Sequence, residues 1–185
     1  MNVKEGIIMR SAESLTYWEW LNVLEEAIRQ FNEKETYLIK NDLSERCINS
    51  KLAMYVERVL EDQEIEGVDV DVEYNRGFNG NESGIKRFKG GPVYLDLVVH
   101  QREYDVVRGF LNYIYVEMKK PQNPDGFNTD RSRVCDMTNP FGGFGYKIGA
   151  FLIIVADDTR NHYCLEIHDL YKEGLAWELL EDNPR

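Results

Sequence analysis

The sequence contains little that would cross-link a chain covalently or hold it in a membrane. Its three cysteines, Cys47, Cys135 and Cys164, are widely spaced and form no CxxC pair. This spacing argues against a disulfide framework or a zinc site and favours a reducing compartment. The longest apolar run covers residues 148–156, whereas a membrane-spanning helix needs about 20 residues. Because residues 1–5 also lack the apolar segment of a signal peptide, we expect a cytoplasmic protein with no membrane partner.

Positive charge is also scarce, since 22 Lys and Arg stand against 33 Asp and Glu, which gives a formal net charge of −11. This balance argues against a general nucleic-acid binder. The charge is unevenly distributed, with net −9 over residues 1–73, net +3 over residues 74–134 and net −5 over residues 135–185. A locally positive surface can meet phosphate even in an acidic protein. Ordinary scatter of surface charge explains the same distribution equally well.

The length of 185 residues suits one domain. Helical spacing of apolar residues predicts helices over residues 14–31, 43–63, 130–138 and 171–180. Alternation and short apolar runs predict strands over residues 68–74, 93–99, 113–119, 148–156 and 163–168. Residues 75–91 and 121–129 are rich in turn formers and predict loops. We therefore expect an α/β fold with a mixed sheet of four or five strands flanked by helices. The expected parts are a helical segment 1–42, a core 43–170 and a closing helix 171–182.

Charged residues interrupt two of the predicted strands. Asp96 lies in the middle of an apolar strand, where a carboxylate has to be paired, exposed or bound to metal. Side chains alternate between the two faces of a strand, so the next strand presents Ile114, Val116 and Met118 on one face. Its other face is predicted to carry Tyr113, Tyr115, Glu117 and Lys119.

A third acidic residue, Glu45, opens the second predicted helix. Glu45, Ile48 and Leu52 are spaced i, i+3, i+7 and so share one helix face. The two apolar residues must face the core, which directs Glu45 towards the sheet. The alternative is that Glu45 only caps its own helix.

At these residues the chain resembles the PD-(D/E)XK nuclease superfamily, in a bacterial or phage branch. The resemblance rests on Leu43-Ser44-Glu45 at a helix start, Asp96 within a strand, and Glu117-Met118-Lys119 at the end of the next strand. It covers residues 43–156. Leu95 stands directly before Asp96, where the name of the superfamily implies a proline.

The resemblance implies a restriction-endonuclease-like fold and a nuclease that uses Mg²⁺ or Mn²⁺, with DNA favoured over RNA as substrate. It implies four catalytic residues, of which Lys119 orients or activates the attacking water: Asp96, Glu117, Lys119 and Glu45. The metal ligands that it implies are Asp96, Glu117, Glu45 and Met118. Asp71 or Glu73 would approach the metal if their strand neighbours that of Asp96, and otherwise they form a solvated face.

The expected contacts to nucleic acid are basic residues of the middle segment. They are Arg76, Lys86, Arg87, Lys89, Lys120, Arg131 and Arg133, and His100 is a further candidate for contact with phosphate. Cutting two strands would favour a homodimer. The rival hypothesis is a nuclease-like fold that no longer cuts and serves as a binding or assembly module, which the strong acidity of the chain supports.

Overall fold

The structure of the protein is a computed structural model. It describes residues 9–41, 43–79, 82–102, 111–120, 126–139, 144–156, 161–169 and 176–181. Within these residues the fold is mixed α/β. Its helices are α1 Tyr17–Lys34, α2 Thr36–Lys40, α3 Glu45–Asp62 and α4 Phe127–Thr138, with a 3₁₀ turn at Ala12–Ser14. The first seven strands are β1 Arg10–Ser11, β2 Ile65–Glu66, β3 Asp69–Tyr74, β4 Arg76–Asn79, β5 Glu82–Ile85, β6 Arg87–Phe88 and β7 Gly91–Pro92. The remaining strands are β8 Leu95–His100, β9 Asn112–Lys119, β10 Ile148–Ala156, β11 Asn161–Asp169 and β12 Ala176–Glu181.

The main sheet has six strands in the order β12-β11-β10-β9-β8-β3. Neighbouring strands are antiparallel except β9 and β10, which are parallel. A parallel pair needs a crossover connection, and α4 lies in the segment between these two strands. The sheet is therefore mixed, as predicted, but the expected number of four or five strands is wrong for the described residues.

The sixth strand replaces part of the predicted closing helix over residues 171–182. That prediction is wrong where the structure describes the segment, because Ala176–Glu181 pairs antiparallel with β11 as β12. Short apolar segments fit either periodicity. Here the backbone of residues 176–181 pairs with the edge of β11. A short helix at this position would leave the N–H and C=O groups of that edge unpaired.

The two long helices begin at side-chain caps. The hydroxyl of Thr16 accepts the main-chain N–H of Glu19, whose carboxylate accepts the N–H of Thr16, so the two residues form a capping box. Ser44 caps α3 by accepting the N–H of Cys47, which leaves the carboxylate of Glu45 free to reach elsewhere. Within the described residues no helix is long and apolar enough to cross a membrane.

Apolar side chains pack on both faces of the sheet. The first core lies between the sheet and helices α1 and α3, and its sheet residues include Leu97, Val99, Ile114, Val116, Met118, Ile148, Ala150 and Leu152. The second core lies between the sheet and α4 and contains Val93, Leu95, Val98, Tyr115, Val134, Met137 and Tyr146. Both faces of β9 are therefore buried, which makes any charge on this strand expensive unless it is compensated.

The predicted alternation along β9 is wrong at Tyr113. Opposite the start of β9 the pairing shifts between Val99 and His100, so that Val99 pairs with Ile114 but His100 pairs with Asn112. Tyr113 is the extra residue, and its ring stacks on Trp20 in the first core at a centroid distance of 4.5 Å. A bulge of this kind breaks the period of two. From Ile114 onwards the predicted alternation holds, with Tyr115 in the second core.

The structure differs from two predictions near the basic middle segment, a loop and the start of a helix. The predicted loop over residues 75–91 contains two short hairpins, β4 with β5 and β6 with β7. The helix predicted from residue 130 begins three residues earlier, at Phe127, with Gly126 at φ 99° as its cap. Asp130 consequently lies in the first turn of α4.

Gly149 sets the distance between α4 and β10. A Cβ atom at this position would lie 2.4 Å from Cγ2 of Thr138 and 2.7 Å from Cγ1 of Val134. We expect Gly149→Ala to lower the free energy of unfolding by about 1–3 kcal/mol, the usual cost of overpacking. Chemical denaturation followed by circular dichroism measures this loss. The control is Gly91→Ala, where the nearest atom is 3.8 Å away; an equal effect of the two substitutions would contradict the close packing of α4.

Candidate active site

Asp96 and Glu117 lie opposite each other on adjacent strands. The pairs Leu97–Val116 and Val98–Tyr115 fix the register of β8 against β9, and the same register continued by one residue places Asp96 across from Glu117. Directly opposed residues in an antiparallel pair point to the same face, and here that face carries α4. Oδ2 of Asp96 accepts the main-chain N–H of Met118 at 2.9 Å.

Glu117 is almost completely buried, with 2% of its surface exposed. The hydroxyl of Tyr115 donates to its Oε2, and Nη1 of Arg133 lies 2.5 Å from its Oε1. Burial and the charge of Asp96 raise the pKa of Glu117 to about 8, although Arg133 and Tyr115 act in the opposite direction. The site therefore lacks part of the positive charge that an ionised carboxylate at this depth requires.

Asp96 is half-buried, and its pKa is raised as well. Burial raises its pKa to about 6, with smaller contributions from the negative charges of Glu45 and Glu73. The N–H of Met118 and the ammonium of Lys119 oppose this rise. β3 pairs with β8, and the pairs Val72–Leu97 and Tyr74–Leu95 place Glu73 opposite Asp96, so the strand of Glu73 is a neighbour of that of Asp96.

Lys119 lies between two carboxylates from different helices. Its Nζ is 3.9 Å from Oε2 of Glu45 and 3.4 Å from Oδ2 of Asp130. Burial lowers the pKa of Lys119, but the charges of Asp130, Glu45 and Glu117 outweigh burial and hold the pKa above its ordinary value. Lys119 is thus a cation at neutral pH.

Glu45 reaches the end of β9 from the first turn of α3. Its Oε1 accepts the main-chain N–H of Lys120 at 3.2 Å while its Oε2 is paired with Lys119. Since Ser44 is the cap of α3, the alternative that Glu45 only caps its own helix is wrong. Glu45 thus contacts Lys119 and Lys120 at the end of the sheet strand, and its helical spacing had directed it towards the sheet.

Asp130 is the site residue that the sequence analysis missed. It lies in the first turn of α4 with 5% of its surface exposed, and its Oδ1 is 3.3 Å from Nη2 of Arg133. Its Oδ2 is buried and has no hydrogen-bond donor, although the ammonium of Lys119 is close. The available signal was the spacing of Asp130 and Arg133, i and i+3, which places both on one helix face.

Several predicted contacts to nucleic acid occupy different positions in the structure. Lys86 is buried, with 3% of its surface exposed, and Arg133 is paired with Glu117 and Asp130. His100 is also buried, with Nε2 at 2.9 Å from Oδ2 of Asp71. The remaining predicted contacts are on the surface or half-buried: Arg76, Arg87 and Lys89 are exposed, and Lys120 and Arg131 are half-buried.

Lys86 belongs to the second core. Its Nζ donates to the hydroxyl of Tyr146 at 2.6 Å and lies about 5 Å from the ring centres of Tyr74, Phe144 and Tyr146. Burial lowers the pKa of Lys86 to about 7, against a weaker opposing effect of Asp71. Lys86 therefore anchors the strands that carry Arg76 and Arg87 instead of contributing to their exposed charge.

The donor chemistry of the site suits the divalent ion that the resemblance implies. Four carboxylates, Glu45, Asp96, Glu117 and Asp130, share this region with two cations, Lys119 and Arg133, and Mg²⁺ prefers carboxylate oxygens. The expected convergence of Glu45, Asp96 and Glu117 on one point is not present, because no three His, Cys, Asp or Glu among the described residues form a group that could hold a metal ion. The Met118 side chain is buried in the first core, so its thioether does not face this region.

Comparison of the chain with protein-family models, with curated proteins and with solved structures found no match.

The buried amine of Lys86 makes stability depend on pH in a defined direction. Its pKa is about 7 in the folded protein and ordinary, 10.5, in the unfolded chain, so the unfolded state binds the extra proton. We expect the free energy of unfolding to rise by about 2 kcal/mol between pH 7 and pH 9 because of this group. Urea denaturation at both pH values measures the rise, and Lys86→Met should lack it. The same pH dependence in Lys86→Met would contradict this assignment.

Proposed function

We propose that the chain is a metal-dependent nuclease of the PD-(D/E)XK type that hydrolyses phosphodiester bonds in nucleic acid, with DNA favoured over RNA by the resemblance. The observation that carries the proposal is a pair of carboxylates, half-buried Asp96 and buried Glu117, which lie opposite each other with Lys119 two residues after Glu117 on the same strand. The mixed sheet with helices on both faces supports a restriction-endonuclease-like fold.

In this proposal Asp96 and Glu117 hold Mg²⁺ or Mn²⁺, and Glu45 completes the shell or binds one of its waters. A bound ion supplies a nucleophilic water at neutral pH and neutralises charge on the phosphate. The raised pKa values of Asp96 and Glu117 support this assignment, because a divalent cation would remove the electrostatic cost that raises them.

Lys119 has an electrostatic role in the proposed reaction. Its ammonium is held between Glu45 and Asp130, and those carboxylates keep it protonated. A protonated amine cannot accept a proton from water, but it can orient the water and stabilise negative charge that develops on the phosphoryl group. We therefore favour orientation and charge stabilisation over general-base catalysis.

The exposed cations of the hairpins are the proposed contacts to the phosphate backbone. Arg76 begins β4, Arg87 begins β6, and Lys89 follows β6, and all three are exposed. Phe88 of the same strand lies beneath Arg133 at 5.6 Å from its guanidinium carbon. The strand that begins at Arg87 thus adjoins Arg133, which holds Glu117, and this supports contact with a substrate close to the carboxylates.

The rival function is a binding or assembly module without catalysis, and one observation favours it. Both carboxylate oxygens of Glu117 already have protein partners, Tyr115 and Arg133. A purely structural ion pair would look the same. The two functions differ in metal binding, because a nuclease has to bind Mg²⁺ or Mn²⁺ and a module does not.

The test of the proposed nuclease is Lys119→Ala with Lys120→Ala as the matched control. Cleavage of double-stranded DNA, single-stranded DNA and RNA in Mn²⁺ or Mg²⁺ should fall at least about a hundredfold in Lys119→Ala, the usual size of a lost electrostatic role. Lys120→Ala should lose much less cleavage than Lys119→Ala, because the bond between residue 120 and Glu45 uses the main-chain N–H. Circular dichroism checks that both variants fold. Metal-independent cleavage, or equal activity in wild type and Lys119→Ala, would overturn the mechanism.

A second test concerns the hairpin cations. The triple variant Arg76→Glu, Arg87→Glu, Lys89→Glu should bind DNA more weakly at every sequence. The slope of log K against log salt should become shallower by about 2–3, since each lost phosphate contact in B-DNA contributes about 0.9. Fluorescence anisotropy over a salt series measures both quantities. The control Lys34→Glu, Lys40→Glu, Arg58→Glu changes the total charge equally on exposed positions of the helices; the same loss there would show that net charge, and not these hairpins, governs binding.

A further inference from the structure

Arg133 occupies the position beside Glu117 where a metal ion would need to bind. Its Nη1 is 2.5 Å from Oε1 of Glu117, while the hydroxyl of Tyr115 holds Oε2. A guanidinium at that distance places its positive charge directly beside the oxygen that would coordinate the ion. Because two cations on one carboxylate oxygen repel each other strongly in a buried site, metal binding to Glu117 requires that this contact lengthen or break.

The structure provides a second acceptor for the same guanidinium. Asp130 lies one helical turn before Arg133, with Oδ1 at 3.3 Å from Nη2. Oδ2 of Asp130 is buried without a hydrogen bond, at 3.4 Å from the ammonium of Lys119, and Nε of Arg133 is buried without an acceptor. Arg133 is thus incompletely satisfied where it is, and a two-bond pairing with Asp130 would give its Nε an acceptor in Oδ2, which Lys119 would share.

We propose that Arg133 is an internal cation that holds Glu117 in the metal-free protein and moves onto Asp130 when a divalent ion binds. The inference rests on the proposed function, because it takes Glu117 to be a metal ligand. Asp130 and Arg133 are positioning residues in this scheme, and neither contacts the substrate phosphate. The arriving ion would replace the guanidinium at Glu117, and the guanidinium would keep Asp130 as its carboxylate partner.

Removal of Arg133 should change the affinity for the metal ion in a direction that removal of an ordinary structural ion pair would not. Loss of a competing cation should tighten metal binding, whereas loss of a mere structural support should leave it unchanged or weaken it. The metal-free protein should at the same time become less stable, because Glu117 would be buried without a counterion.

The experiment titrates Mn²⁺ into the full chain by isothermal calorimetry, without substrate. We expect Arg133→Gln to lower the dissociation constant for Mn²⁺ at least about tenfold relative to wild type, because a buried competing charge is removed. Thermal unfolding should show a lower Tm than wild type without metal and a larger rise on addition of Mn²⁺. The control Arg131→Gln changes the same charge on the same helix, where the guanidinium packs over Phe151 instead of Glu117; it should change the dissociation constant by less than about twofold.

Asp130 is tested in the background of that variant. Asp130→Asn alone should weaken Mn²⁺ binding, because Arg133 loses its second acceptor. Asp130→Asn combined with Arg133→Gln should bind Mn²⁺ as Arg133→Gln does, since Asp130 then has no guanidinium to receive. An equal weakening in both backgrounds would show that Asp130 acts by its own charge and would overturn the exchange.

The outcomes separate this inference from the proposed function. If wild type binds Mn²⁺ and Arg133→Gln binds it equally or more weakly, the exchange is wrong and the metal site stands. If no variant binds Mn²⁺, the metal site is wrong and the exchange fails with it. If Arg133→Gln does not fold, Arg133→Lys replaces it. The lysine side chain keeps the charge but cannot span both carboxylates, so the affinity for Mn²⁺ should rise by a smaller factor, about threefold. An unchanged or weaker affinity in Arg133→Lys overturns the exchange.

Discussion

Buried negative charge at the end of β9 is the constraint on which the local structure depends. Asp96 and Glu117 lie on a strand pair whose two faces are both covered by apolar cores, and an uncompensated carboxylate there would cost several kcal/mol. Arg133 and Lys119 compensate part of this charge. Each contacts two of the four carboxylates of Glu45, Asp96, Glu117 and Asp130. Two cations for four anions leave the region short of positive charge, and the raised pKa values of Asp96 and Glu117 reflect that shortage.

The position of α4 follows from the same sheet geometry. β9 and β10 are parallel, so the chain has to return along the sheet between them, and α4 belongs to that return. The absence of a side chain at Gly149 lets the helix approach β10 closely at Val134 and Thr138. The first turn of α4 consequently carries Asp130 to the end of β9, where the positive end of the helix also favours a carboxylate.

Much of the fold follows from local patterns in the sequence. The strand Asp69–Tyr74 and the nine-residue strand Ile148–Ala156 both appear where the sequence predicts strands. The common face of Glu117 and Lys119 was also predictable, because neighbouring positions on a strand fix it. These features depend only on interactions between residues close in the chain.

Features that depend on distant partners were not predictable. The sequence around Lys86 predicts an exposed, charged side chain. Its amine is instead buried against Tyr146, which lies 60 residues away in the chain. The bulge at Tyr113 requires knowledge of the facing strand, and β12 forms because β11 has an open edge. Asp130 is the first residue of the predicted helix, whereas the earlier start of α4 at Phe127 places it inside the first turn. In each case tertiary pairing, and not local propensity, determined the outcome.

The hairpin strand β6 connects the two charged regions that the proposed function needs. Arg87 and Lys89 present positive charge to solvent in a chain whose net charge is −11, while Phe88 between them packs against the guanidinium of Arg133. A polyanion drawn to the exposed cations would therefore approach the strand on which Arg133 rests. Because Arg133 also holds Glu117, the proposed substrate contact and the proposed metal ligand would meet at one short strand, which would give a physical reason for a locally basic surface in an acidic protein.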